Sequence, residues 1–299
     1  MLSVNIPVFN IEVSDLVMQI KKQAEILAID YDIRIYDDCS DDSIKLKNRW
    51  LQEIPHVIYL ELPKNIGRSA IRNKMGFDST RRYQLFIDAD SRLVTDRFLE
   101  KYLNHASGEC VICGGTSYSD KKPVDTKKML RWKYGHVREA VPASIRADKK
   151  GFIISSNNFF IESNLFKKVH FREELNSYGH EDTLLGLDLF INGTKPLHID
   201  NPVEHTGIED SIIFLDKTRN ALKNLLQISK TVGENGPVLK SKMNFLKQYE
   251  KLTVLIPQPV TSWLFKQLRV CLERQLTGKN PRIFLFDLYK LGYYAEINR

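Results

Sequence analysis

Five short runs that read as strands punctuate the first 115 residues, at 4–7, 33–36, 57–60, 85–87 and 111–113. The stretches between them carry apolar residues at helical spacing. After Ser14, a candidate cap, Val17, Ile20, Ala24 and Leu27 share one face. Helical patterns also fill the stretches up to about Glu53, from Gly67 to about Thr80, and from Asp96 to about His105. Strands alternating with helices in this way build βαβ units and a mostly parallel sheet. The expected fold class is therefore α/β.

The fourth run leads into Gln84-Leu-Phe-Ile-Asp-Ala-Asp-Ser-Arg92. Asp88 and Asp90 follow where the strand should end. Residues i and i+2 of an extended chain point to the same side, so both carboxylates are expected to lean towards one point. That point lies at the carboxyl edge of the sheet, where open α/β sheets bind ligands. Two hard oxygen donors suit Mg²⁺ or Mn²⁺ holding a diphosphate. Spacing alone is weak evidence. With 20 Asp in 299 residues, Asp-x-Asp arises roughly once by chance, and a solvated turn is the plain alternative. Asp30-Tyr31-Asp32 has the same spacing but precedes a strand.

Two further clusters fall at ends of the same expected edge. They are Asp37/Asp38 in an acidic turn after the second run, and Arg68/Arg72/Asn73 in the helix opened by Gly67. A carboxylate acceptor for a base and cations for a diphosphate are what a nucleotide pocket needs. The chain is less regular beyond residue 115. A strand is expected at 152–154, followed by Ser155-Ser156-Asn157-Asn158. Helices are expected at 162–169 and 181–192, the second entered from Tyr178-Gly179-His180. A further strand is expected at 196–199, with a loop at 204–207. Residues 125–139 are weakly helical because Gly135 interrupts them.

Composition narrows the class. Charged residues are 27% and hydrophobic residues 42%, ordinary for a soluble globular protein. No apolar run approaches the ~20 residues of a membrane span, and Met1-Leu2-Ser3-Val4-Asn5 is not expected to begin a signal peptide. Cytosol is the expected compartment. Four cysteines (39, 110, 113 and 271) are too few and scattered for a disulfide framework, and Cys110-Val-Ile-Cys113 reads as buried strand thiols. The net charge of +7 is uneven. Residues 217–299 carry 15 Lys and Arg against 5 Asp and Glu, a net of +10, which leaves −3 for residues 1–216. Such a tail is expected to meet something anionic.

The motifs also resemble a known family. Val4-Asn-Ile-Pro-Val-Phe-Asn10, Tyr36-Asp-Asp-Cys-Ser-Asp-Asp42, Asn65-Ile-Gly-Arg-Ser-Ala-Ile-Arg-Asn73, Phe86-Ile-Asp-Ala-Asp90 and Tyr178-Gly-His-Glu-Asp-Thr-Leu184 occur in the order and spacing of family 2 glycosyltransferases. The resemblance covers about residues 2–215. It implies the nucleotide-sugar-binding GT-A fold and inversion at the anomeric carbon. It implies that Pro7 and Phe9 line the base pocket, that Asp38 accepts from the base N–H, and that Arg72 contacts the nucleotide. Asp88 would sit on the ribose or the metal, and Asp90 would bind Mn²⁺ or Mg²⁺ directly. His205 would complete the metal site, with a structural histidine as its plain alternative. Asp182 would be the general base, with His180 as an alternative. The chain departs from the family at Cys39, where Gly is usual, at Ser155-Ser156-Asn157, and at Asp188. These departures bear on the particular sugars rather than on the fold.

The expected arrangement is a GT-A domain at 1–215 and a basic helical extension at 216–299. The expected activity is metal-dependent transfer from a nucleotide-sugar, with UDP the expected carrier, to a growing surface glycan or lipid-linked oligosaccharide. Three alternatives remain: a nucleotidyltransferase, a nucleotide-sugar-binding pseudoenzyme, and a basic-tailed nucleic-acid binder. The first would need a Gly-rich basic loop that Pro7-Val-Phe-Asn10 does not supply. In the tail, Trp263, Leu264, Leu268, Cys271, Leu272 and Leu276 recur at helical spacing. Such a stripe most often packs on its own domain. The net +10 instead points part of the tail towards an anionic membrane surface, as a peripheral contact.

Overall fold

A computed structural model describes residues 1–150, 154–174 and 179–298. These pack as two units. The first takes residues 1–118, 140–150, 154–174 and 181–207; the second takes 119–139, 179–180 and 208–298. This grouping assigns 119–139 and 208–215 to the unit that contains the basic tail.

The strands are β1 (Leu2–Val8), β2 (Tyr31–Asp37), β3 (Val57–Glu61), β4 (Tyr83–Ile87), β5 (Ser91–Leu93), β6 (Val111–Cys113), β7 (Thr116–Ser117), β8 (Asn158–Glu162), β9 (Leu197–His198) and β10 (Val203–His205). Helices α1 (Ser14–Ile26), α2 (Asp42–Asn48), α3 (Arg68–Asp78) and α4 (Phe98–Leu103) fall between the early strands. Helix α5 (Met129–Tyr134) lies in the second unit, while α6 (Ala143–Lys150), α7 (Ser163–Val169) and α8 (Glu181–Ile191) return to the first. Helices α9 (Ser211–Thr231), α10 (Gly236–Lys242), α11 (Asn244–Leu255), α12 (Gln258–Leu276) and α13 (Ile283–Ile297) follow in the second.

The main sheet of the first unit has the order β3-β2-β1-β4-β8-β6-β9. Only β8 runs against its neighbours β4 and β6. The alternation of runs and helices therefore yields the mostly parallel sheet expected. Strand β4 sits at its centre and is buried throughout. Leu85 and Ile87 enter the core on one face, with Val17, Ile20 and Phe98. Phe86 enters the core on the other, with Met75, Phe159 and Phe166. A strand covered on both faces reads as a continuous apolar run, which is why this one was legible.

Several local expectations shift. Pro7 does not end β1: pairing with β2 continues to Val8, while pairing with β4 stops at Asn5. In a parallel strand successive residues bond to alternate neighbours. Val8 O accepts from Asp38 N, so the N–H that Pro7 lacks belongs to the side where pairing has already ended. Ser14 does not cap α1; it is the first helical residue, after Val13, with no side-chain cap bond. Of the strand expected at 152–154, residues 152 and 153 lie outside the described residues, and Ile154 is not in a strand; the strand is β8. The expected loop at 204–207 contains the end of β10, which pairs with β5 and β7 in a second, three-stranded sheet.

The second unit is helical. Aromatic rings of Tyr134, Phe214 and Phe286 meet at centroid distances of 5.2–5.4 Å. The tail stripe does not face this core. Trp263, Leu264, Leu268 and Cys271 are exposed, Leu272 is half-buried, and only Leu276 is buried. The inward face of α12 uses Thr261, Ser262, Phe265 and Leu276, and Phe265 packs so closely on Gly292 that a Cβ there would lie 2.5 Å from its ring. Both faces of α12 carry apolar residues, so spacing did not say which one turns inward. Among the described residues no helix is long and apolar enough to cross a membrane.

Candidate active site

Strands β1, β2 and β4 run parallel, so their carboxyl ends form one edge of the sheet. Phe9, Asp38 and Asp88 follow them directly. At the end of β1, Pro7 is half-buried and the Phe9 ring is 52% exposed. An exposed aromatic face at a sheet edge is a platform for a flat ring. Asn10 ties this end to the acidic turn: its N–H donates to Ser40 Oγ (2.8 Å), and its Oδ1 accepts from Asp41 N (2.8 Å).

The acidic turn divides its carboxylates between two jobs. Asp37 is fully buried, and its Oδ1 accepts from Ser40 N at 2.6 Å, which shapes the turn. Asp38 reaches across to the loop before α3, where its two oxygens accept from Ile66 N (2.7 Å) and Gly67 N (3.0 Å). Gly67 opens α3 at φ +88°, a conformation that glycine adopts without strain. Burial pushes the Asp38 carboxyl above its ordinary value, against those two donors, which pull it down. Cys39 adopts φ +65°, so the position where the family usually has Gly is a left-handed one, and this chain fills it with a side chain.

Asp88 and Asp90 take different partners. The extended chain ends at Ile87, and residues 88–91 turn, with Ser91 N donating to Asp88 O at 3.2 Å. The period of two therefore stops one residue too early for the expected alignment. Asp88 turns to α3, where Arg72 Nη2 donates to Oδ1 and Arg68 Nη2 to Oδ2 at 3.4 Å. Arg72 is 2% exposed and also donates to Arg68 O at 3.0 Å. It is a buried clamp on Asp88. Arg68, half exposed, is the cation on the open side. Arg72, to which the resemblance gives the nucleotide contact, and Arg68 thus share one carboxylate.

Asp90 turns instead to β10. Its Oδ2 lies 3.3 Å from His205 Nδ1. Its backbone O accepts from both Thr206 N and Thr206 Oγ1 at 2.8 Å. The pairing of His205 with Ser91 across β10 and β5 sets this juxtaposition. Gly207 leaves the room: a Cβ there would lie 2.3 Å from Asp90 Oδ2. The Tyr118 ring meets His205 edge-on at 5.6 Å. His205 Nε2 is buried without a hydrogen-bond partner among the described residues.

This donor pair fits a divalent ion. Two ligands in adjacent octahedral positions, each ~2.1 Å from an ion, lie ~3.0 Å apart, close to the separation seen. Among the described residues no group of three or more His, Cys, Asp and Glu gathers around a single point. Asp88 is engaged by the two arginines.

Asp182 is the second residue of α8 and is half-buried. Thr183 Oγ1 donates weakly to its Oδ1, at 3.5 Å. A helix start favours an anion there. Its charge reaches the end of β6, where it adds to the burial that pushes the Cys113 thiol up to about 12. Cys113 is thus the buried strand thiol expected, whereas Cys110 is half-buried and precedes β6. Glu181 beside it is buried and pairs with Arg68 Nε at 3.2 Å. One guanidinium thus joins Asp88, after β4, to the first turn of α8. His180 and Gly179 both have positive φ, +72° and +104°; Tyr178 lies outside the described residues. Asn157 immediately precedes β8, bonded to Thr116 Oγ1 (2.9 Å) and Ser155 Oγ (2.7 Å). Asp188 pairs with Arg172.

The family model described as glycosyl transferase family 2 matches residues 3–171, more than half of the chain. The mannosyltransferase PcManGT from Pyrobaculum calidifontis, in complex with GDP-Man and Mn²⁺, superposes with a TM-score of 0.60 at 14% identity, covering 99% of this chain and 86% of that chain. TarS 1–349 from S. aureus gives a TM-score of 0.48 at 18% identity, covering 97% of this chain and 90% of that chain. No curated protein matches the sequence. The chain belongs to glycosyl transferase family 2, has the GT-A fold, and is a glycosyltransferase.

Proposed function

We propose that this glycosyltransferase is inverting and metal-dependent, and that it moves a sugar from a UDP-sugar to a hydroxyl of a growing surface glycan or lipid-linked oligosaccharide. The observation that carries the reading is the Asp88–Arg68–Glu181 chain. It ties the end of β4, where a donor would be held, to the helix that bears a candidate base. Phe9 would stack on the base, and Asp38 would accept its N–H. Arg68 would exchange carboxylate partners for the diphosphate. Asp90 and His205 would hold the divalent ion, which would offset the charge growing on the leaving diphosphate. An imidazole in the donor set favours Mn²⁺ over Mg²⁺, and PcManGT, of the same fold, is in complex with Mn²⁺.

Asp182 takes the proton of the acceptor hydroxyl as that oxygen attacks C1. The new O–C1 bond forms while the bond from C1 to the phosphate oxygen breaks. The electron pair leaves with the nucleoside diphosphate. No enzyme nucleophile intervenes, so the anomeric centre inverts. The basic tail brings the protein to the inner, cytoplasmic face of the plasma membrane, where a lipid-linked acceptor would be met.

Asp38→Ala is expected to weaken UDP binding by ~10-fold or more, the range for removing a charged hydrogen-bond partner. Pyrophosphate binding and metal dependence should be unaffected. Calorimetric titration of both ligands checks this, and equal losses would move Asp38 away from the base. The folded-state pKa of Asp38 is raised, so it protonates as pH falls while still above the ordinary carboxylate range, and UDP affinity should fall with it. Gly207→Ala is expected to displace the Asp90 carboxylate and weaken Mn²⁺-linked UDP binding by ~10- to 100-fold, as changes beside metal ligands do. Unchanged affinity would separate Asp90 from the ion.

A further inference from the structure

The outward face of α12 and the end of α11 form an apolar surface that the fold leaves bare. Val254 and Leu255, at the last turn of α11, are 86% and 81% exposed, and Trp263 is 59% exposed. Val260, Leu264 and Leu268 continue the exposed strip along α12. Positions 260, 264 and 268 are four apart, so they lie along one side of the helix. Contiguous apolar exposure rimmed by charge marks a protein or membrane contact.

The charges around it choose between those occupants. Residues 236–279 contain eight Lys and Arg against two Glu. Both acids are already paired, Glu250 with Lys240 and Glu273 with Arg219 and Arg269. Lys247, Lys251, Lys266 and Arg274 are exposed. Lys247 and Lys251 are four apart on α11, and Val254 and Leu255 follow three and four residues on, so cations lead down to an apolar tip. A second copy docking on this surface would set cations against cations. An anionic bilayer satisfies both parts: apolar side chains enter the boundary between headgroups and acyl chains, and ammonium groups stay among the phosphates.

We propose that the segment spanning the end of α11 and the start of α12 is the membrane-docking element of this enzyme, with Val254, Leu255 and Trp263 inserted into an anionic leaflet and Lys247 and Lys251 held at its phosphates. The proposal rests on the membrane contact proposed above and assigns that contact to a surface. Four of the six residues in the stripe that reads as core in the sequence are exposed to do this work.

Full-length protein mixed with phosphatidylcholine vesicles, with or without phosphatidylglycerol, tests it by co-sedimentation. Wild-type protein should bind only the phosphatidylglycerol vesicles and release as salt rises. Lys247→Glu with Lys251→Glu should lose at least ~25-fold in vesicle affinity, taking roughly fivefold per cation. Val254→Ser with Leu255→Ser should lose ~10-fold or more at low salt. Brominated lipid should quench a fluorescence component that Trp263→Phe removes. All these side chains are exposed, so melting temperature and sugar-nucleotide hydrolysis should be unchanged, which separates misfolding and loss of the proposed activity from loss of docking. Wild-type protein that ignores phosphatidylglycerol vesicles at low salt overturns the proposal. So does vesicle binding that survives both double substitutions, or a self-association that Val254→Ser with Leu255→Ser abolishes while vesicle binding stays intact.

Discussion

Asp182→Asn is expected to cut turnover by ~10²-fold or more, the range for losing general-base help, and to leave donor affinity nearly unchanged. An acceptor hydroxyl has a pKa far above neutrality, so a carboxylate must receive its proton as the new bond forms. The amide keeps the shape of the side chain and removes that capacity. Asp182 stands in the first turn of an 11-residue helix, where backbone N–H groups favour its ionised form. Its neighbour Glu181 is buried and held by Arg68 at 3.2 Å, which suits it to holding the helix start rather than to meeting an acceptor. Steady-state kinetics with donor and acceptor varied separately check the split. A loss confined to kcat supports the base assignment, whereas turnover within a few-fold of wild type moves the role to His180 or Glu181.

Asp90→Ala is expected to abolish the divalent-ion dependence of UDP binding. The carboxylate is one of two donors that face each other at 3.3 Å, and the remaining imidazole would hold an ion only weakly on its own. Asp90 O also receives both donors of Thr206. Those bonds are to the backbone and survive the substitution, so the β10 connection should persist. Titration of UDP with and without Mn²⁺ checks this. A variant that keeps the wild-type, metal-linked affinity removes Asp90 from the ion. Asp88→Ala should behave differently, because its partners are Arg72 and Arg68: UDP binding should weaken while the metal dependence remains.

The parallel sheet was legible from short strand-like stretches alternating with helical patterns, most plainly at β4, which is buried on both faces and reads as an unbroken apolar run. Leu85-Phe86-Ile87 is the clearest case. What was not legible depends on pairing over long distances. The Arg68–Glu181 ion pair spans 113 positions and the His205–Asp90 contact 115, and neither has a local signature. Strand β10 is three residues long, too short for alternation to announce it. The turn at 88–91 defeated the alignment of Asp88 with Asp90, since the rule of two holds only while the chain stays extended. Cys39 read as a departure from the family; its φ of +65° explains why Gly is usual there. On α12, apolar residues occupy both faces, and the tight fit of Phe265 on Gly292, not the spacing, decides which is inside.

Incubating the full-length enzyme with a panel of UDP- and GDP-sugars, with and without Mn²⁺, tests the central claim most directly. Slow donor hydrolysis needs no acceptor, so released nucleoside diphosphate reports donor choice and metal dependence together. The expected result is release from a UDP-sugar that requires Mn²⁺ and stops when the ion is chelated. Release that continues unchanged in chelator, or no binding and no release for any nucleotide-sugar with any divalent ion, would contradict a metal-dependent glycosyl transfer at the Asp90–His205 site.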